Sequence, residues 1–185
     1  THGVPSKENA HPHMDQNKHF AVVHNGIIEN YLELKDFLKN KGFSFSSQTD
    51  TEVIPVLMEY YYQKTGNVMD AFKDTLNDLK GSYAILVITP LIPNTILVAK
   101  KNSPLVLGIG NDGIYAASDI PAIIEYTKDF YFLLDDEKAV IGDDIVFYDK
   151  NFQKIDKQSK TIDWEMDAID KNGFEDYMLK EIHEQ

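Results

Sequence analysis

The chain has 185 residues, and 43% of them are apolar, enough for one domain with a sizeable core. It carries 18 basic residues, all lysine, against 30 acidic ones, a net charge of −12. An acidic chain without arginine is poorly suited to nucleic acid or an anionic membrane surface, and the absence of cysteine excludes disulfides, thiolate zinc sites and a thiol nucleophile within these residues.

No apolar run approaches the roughly 18 residues that span a bilayer, and no leader segment precedes the polar stretch that begins at Thr1. A cytoplasmic protein is expected. Five of the six histidines (His2, His11, His13, His19, His24) fall in the first 24 residues, beside Pro5 and Pro12. This segment reads as an irregular loop leading into Phe20-Ala21-Val22-Val23, a buried strand that His24-Asn25-Gly26 ends in a tight turn. Asn30 and Glu33 form an N-cap pair for a helix whose inner face is Tyr31, Leu34, Phe37 and Leu38 and which stops at Gly42.

After an extended piece at 43–47, Thr49-Asp50-Thr51-Glu52 has the form of a capping box. It opens a helix with Val53, Ile54, Leu57, Met58 and Tyr61 inward and Pro55 in its first turns. Gly66-Asn67 separates this helix from a third, capped by Asn67 and Asp70, with Ala71, Phe72, Leu76 and Leu79 inward. From Gly81 the pattern changes to strands: 82–89, 95–100, 105–109, 113–117, 130–134, 139–141 and 145–148, with a short helix at 120–126. Residues 151–170 read as polar and irregular, and 174–184 as helical. Strand, helices and then a strand meander make an α+β layered fold.

The residues that can carry chemistry admit two readings each. Asn25-Gly26 is a turn dipeptide, or an amide and a main-chain N–H that stabilise an oxyanion in acyl transfer. Asp50 is a first-turn acid favoured by a helix dipole, or the partner of a substrate ammonium. The histidine segment can supply metal ligands, with His11 and His13 joined by Glu8, Asp15, His2 or His24; against this, alternate residues of an extended chain point apart. His24 reads as a hydrogen-bonded strand-end residue and His19 as an exposed one. Thr1, if it is a processed terminus, can serve as a nucleophile with its own amine as base.

Several runs resemble the glutaminase domains of the glucosamine-6-phosphate synthase family. They are Thr1-His2-Gly3-Val4-Pro5-Ser6, Asn9-Ala10-His11-Pro12-His13, His24-Asn25-Gly26-Ile27-Ile28-Glu29-Asn30 and Thr49-Asp50-Thr51-Glu52-Val53-Ile54. Gly81-Ser82-Tyr83-Ala84, Ser103-Pro104-Leu105-Val106, Ala117-Ser118-Asp119 and the ending Lys180 to Gln185 extend the likeness over nearly the whole chain. The resemblance implies an Ntn-hydrolase-type four-layer αββα sandwich, with 1–185 forming a class II glutamine amidotransferase domain that is partial at its start and lacks its first strands. It implies hydrolysis of glutamine, with ammonia passed to a sugar-isomerase domain that holds fructose 6-phosphate. Asn25 and Gly26 become the oxyanion hole and Asp50 the holder of the α-ammonium. Thr1 and His2 belong to the segment that holds the α-carboxylate, and His11 lies beside the pocket.

The family's nucleophilic cysteine and its carboxylate-binding arginine would both precede Thr1, so the polypeptide alone is expected to be inactive. Missing strands would expose sheet edges and favour a homo-oligomer. No metal or organic cofactor is implied. Two other classes stand beside this reading: a metal-dependent hydrolase built on the histidine segment, and a non-catalytic glutamine-binding module.

Overall fold

The computed structural model describes residues 3–162. The helix expected at 174–184 lies outside them. The described residues form two compact units, one from 3–105 and 133–157, the other from 106–132 and 158–162.

In the first unit, β1 (His13–Met14) and β2 (Ala21–Ile28) precede three helices, α1 (Tyr31–Asn40), α2 (Val53–Thr65) and α3 (Val68–Asp78). The strands β3 (Gly81–Ile88) and β4 (Ile96–Lys101) follow. The second unit holds β5 (Val106–Ile109), β6 (Ile114–Ala117) and β7 (Asp129–Phe132). The chain then returns to the first with β8 (Lys138–Ile141), β9 (Ile145–Tyr148) and β10 (Lys154–Ile155), and reaches the second again at β11 (Lys160–Thr161).

Every pairing between these strands is antiparallel, and one isolated parallel bridge joins Tyr83 to Asn102. The first sheet runs β1-β2-β3-β4-β8-β9-β10 and the second β11-β7-β5-β6. The run of strands is therefore not one meander: it splits between two sheets, because the residues of β5 to β7 find their partners among themselves.

The core of the first unit follows strand and helix periodicity. Val22, Val87 and Leu97 are cross-strand neighbours on one face and meet Ile54, Leu57, Phe72 and Leu76 of the helices. In α2 every residue from Val53 to Glu59 is buried. Pro55 sits in the first turn, where a missing N–H costs nothing. The helix ends on Gly66, whose φ of 65° is the left-handed conformation that lets its N–H reach the Tyr62 carbonyl. Asn67 caps α3 as expected, its Oδ1 accepting the N–H groups of Met69 and Asp70 at 2.8 and 3.1 Å. In the second unit Val106, Ile123 and Phe130 form a smaller core.

Four local expectations fail for identifiable reasons. Asn25-Gly26 is no turn: β2 runs through it in unbroken register with β3, from Ala21 opposite Ile88 to Ile28 opposite Gly81. A strand contributed from far along the chain overrides the local turn preference. Asn30 does not cap α1 with its side chain. It donates instead to the Asp78 carbonyl at 2.8 Å and accepts the Lys80 N–H at 3.0 Å, bracing α1 against the link from α3 to β3. The segment 120–126 closes only successive turns, through the carbonyls of Ile120 and Ile123, too short to repay helix nucleation. Thr49 to Glu52 form no capping box, as the site geometry explains. Among the described residues no helix is long and apolar enough to cross a membrane.

Candidate functional site

The site begins at the edge of β2. In an antiparallel ladder, alternate residues turn their N–H groups to opposite edges. Glu29 donates to Lys80 on the β3 side at 2.9 Å, which sets the odd-numbered residues of β2 toward β3. The even-numbered ones therefore face the other edge. There β1 pairs with Ala21 and Val22 and goes no further. Beyond that short strand the edge carrying the N–H groups of His24, Gly26 and Ile28 borders the turn that leads into α2. The Ile28 N–H is taken by Asp50 Oδ2 at 2.7 Å.

Gly26 is demanded by packing as well as by conformation. Its φ is 129°, and a Cβ built there would lie 2.1 Å from the Ser82 carbonyl oxygen and 3.0 Å from Ser103 Oγ. Only a residue without a side chain lets β3 come this close.

A cavity of about 500 Å³ opens along this edge. Its lining includes His11, His24, Asn25, Gly26, Thr49, Asp50 and Thr51, with the loop Gly3–Ser6, Asn9 and Ala10 completing it. Asn25 stands on the alternate pleat of β2 from His24 and Gly26, and all three line the space. Four residues proposed from sequence (Asn25, Gly26, His11 and Asp50) are thus brought together. Thr1 and His2 lie outside the described residues.

Polar side chains hold the walls in place. His24, buried in the strand's middle and not at its end, lies with Nδ1 3.0 Å from Thr51 Oγ1. His13 Nε2 lies 3.2 Å from Thr49 Oγ1, and its ring stands edge-to-face with that of His11, centroids 5.4 Å apart. Burial pushes all three imidazoles below the ordinary histidine range. The charge of His11 adds to this at His13, while Asp50 pulls each of the three the other way.

Sequence reasoning missed Glu52. Its carboxylate makes no helix cap; it reaches back to accept the N–H groups of Ser46 and Ser47, both at 2.7 Å, and their hydroxyls at 2.8 and 2.7 Å. Burial opposes its charge, but these four donors prevail and hold the carboxyl below its ordinary range. The T-x-x-E spacing signals a cap and a loop clasp equally well, so spacing alone could not separate them.

Among the described residues the histidines do not gather as one ligand set. His19, half-buried and not free, joins Asp15 and Glu59 in a group whose ligand-capable atoms lie within 4.8 Å of one another. Every carboxylate oxygen in that group already accepts an N–H. Asp15 takes those of Phe20 and Asn17, and Glu59 those of Asn17, Gln63 and His19. Its role here is a buried strut between the β1–β2 connection and α2.

Comparison with known proteins identifies the family. A family model described as a glutamine amidotransferase domain matches residues 2–125. Proteins named glutamine–fructose-6-phosphate aminotransferase (isomerizing) match the whole chain: one from Clostridium acetobutylicum at 45% identity and one from Caldanaerobacter subterraneus at 49%. The chain spans 30% of the length of each of these relatives. Among solved structures, glutamine phosphoribosylpyrophosphate amidotransferase from B. subtilis, complexed with ADP and GMP, superposes with a TM-score of 0.66 at 26% identity. That match covers 80% of this chain and 33% of that one. An open strand edge backed by glycine and a buried carboxylate thus occur in a chain whose sequence matches one family along most of its length: it belongs to the glutamine amidotransferase domain family.

Proposed function

We propose that the cavity binds glutamine and that the domain serves hydrolysis of its side-chain amide, supplying ammonia for the synthesis of glucosamine 6-phosphate from fructose 6-phosphate. The observation that carries this reading is the β2 edge, where Gly26 and Asp50-bound Ile28 turn their N–H groups the same way beside one cavity. Asp50 supplies a buried negative charge to pair with the α-ammonium. The Asn25 amide and the Gly26 N–H supply donors for an oxyanion, and each such donor is worth about 3 kcal/mol in a site shielded from water. His11 stands beside the substrate, and Thr1 and His2 serve its α-carboxylate.

In the full reaction a thiolate adds to the amide carbon, with the nucleophile's own α-amine as base. The carbonyl oxygen becomes the oxyanion, ammonia leaves, and water then hydrolyses the thioester to glutamate. These 185 residues contain no cysteine, so the thiol comes from outside them and this polypeptide alone releases no ammonia. The sugar-isomerising step belongs to the further domain of a longer protein. Self-association through Val23, Ile27 and Ile88, exposed on one face of the first sheet, is part of the same proposal.

Titration calorimetry of the 185-residue chain tests the reading. Glutamine binds, with a dissociation constant on the order of millimolar because no guanidinium holds its carboxylate. No heat with glutamine or glutamate would remove the site assignment. Ammonia production above a buffer blank would overturn the claim of inactivity. A monomer mass by light scattering at every concentration would remove self-association.

A further inference from the structure

The turn that presents Asp50 is closed by a side chain. Glu52 clasps Ser46 and Ser47 through four hydrogen bonds, so that Thr49, Asp50 and Thr51, which line the cavity, form the bow of a loop tied at its base. The clasp is itself anchored. Lys35 of α1 donates to the Ser47 carbonyl at 2.9 Å, and Ser47 Oγ lies 3.0 Å from Thr49 Oγ1, which in turn meets His13.

Hydrogen counting gives this chain a direction. A carboxylate only accepts, so the single Ser47 hydroxyl hydrogen is spent on Glu52. With the Nε2–H tautomer of His13, the ring donates to Thr49 and Thr49 donates to Ser47. Glu52, which can only accept, is where the chain ends. Asp50 lies inside the closed loop and makes its bond to Ile28 on the far side of it.

We infer that Glu52 is a positioning residue for recognition of the α-ammonium group: its carboxylate ties the Ser46–Glu52 loop and, through Ser47, Thr49 and His13, sets where Asp50 stands against β2. This rests on the reading of the cavity as a glutamine site. The loop needs an acceptor of four donors at this point, and an amide at the same position offers one oxygen and adds two donors of its own. Glu52→Gln therefore loosens the loop while conserving volume.

The test uses two measurements on the 185-residue chain. Hydrogen exchange at the Ile28 amide reports Asp50 placement without any ligand. Affinity for glutamine relative to 4-carbamoylbutanoate, which lacks the α-ammonium, reports recognition by Asp50. In Glu52→Gln, Ile28 exchange is expected to accelerate at least tenfold relative to amides in the middle of β3. Glutamine affinity is expected to fall at least tenfold, and that of the analogue less than twofold. Ser47→Ala, which cuts the relay but spares the carboxylate, gives a smaller effect in the same direction and serves if Glu52→Gln does not fold. An unchanged affinity ratio together with unchanged Ile28 exchange would overturn the inference. Wild-type protein that does not bind glutamine removes the site reading, and the exchange measurement then decides the positioning role by itself.

Discussion

The Asp50 carboxylate accepts the Ile28 amide at 2.7 Å, joining the turn before α2 to the edge of β2 two residues past Gly26. This bond occupies a strand-edge donor that would otherwise be buried without a partner. It also holds a negative charge beside the cavity. The two roles separate under mutation. Asp50→Asn keeps an oxygen for Ile28 and loses the charge: glutamine affinity falls at least tenfold while the urea midpoint barely moves. Asp50→Ala also orphans the Ile28 N–H and costs about 1–3 kcal/mol of folding stability. Calorimetry and urea denaturation on the pair of variants check both statements.

Gly26→Ala places a methyl group 2.1 Å from the Ser82 carbonyl oxygen at a φ of 129°. Relief requires β2 and β3 to part at the centre of the sheet. Strain and overpacking together predict a loss of about 3 kcal/mol or more, and weakened glutamine binding in whatever protein remains folded. A denaturation midpoint equal to that of the wild type would show that the strands are not held at this distance.

The imidazoles of His11, His13 and His24 predict a stability that declines on mild acidification. Burial holds all three below the ordinary value. Above pH of about 6.5 they are neutral folded and unfolded alike, and their contribution is fully present. As pH falls below that point the unfolded chain takes up protons first, so stability drops until the folded-state groups titrate as well. Asp15, whose carboxyl burial pushes up, acts with the opposite sign, but in the carboxylate range. Urea midpoints at pH 7.5 and 5.5 should therefore differ, with the lower at pH 5.5, and His13→Gln should narrow the gap. Protonation of the folded-state imidazoles also sets positive charge beside Asp50, so glutamine affinity falls as well, but only at the lower pH where these depressed groups titrate.

Glu59 distinguishes charge from hydrogen bonding. It is fully buried and accepts from Asn17, His19 and Gln63. Glu59→Ala abandons three donors and opens a cavity, at a cost of about 3 kcal/mol. Glu59→Gln can keep its oxygen toward Asn17 and Gln63 while its NH₂ faces His19, whose Nε2–H tautomer presents an Nδ1 lone pair to it. Its cost is about 1 kcal/mol, read from urea midpoints at pH 7.5.

The amino-acid sequence by itself determined the elements whose signals are local. The apolar stripes of α2 and α3, the Leu34 and Leu38 positions of α1, the Asn67 cap, the Gly66 stop and most strand runs were legible, because helix and strand periods and cap chemistry act over a few residues, whereas Phe37, expected inward, is exposed. Asn25, Gly26, His11 and Asp50 were legible as a set through resemblance, since a family's motifs persist even where their geometry is unwritten. Tertiary structure alone decided what those residues do locally. Asn25-Gly26 became mid-strand because β3 binds along its whole length, and Asn30 became a brace because Asp78 and Lys80 lie within its reach. Glu52 became a clasp because Ser46 and Ser47 turn four donors toward one carboxylate. In each case the local preference is worth about a kcal/mol, and partners brought in from elsewhere in the fold offer more.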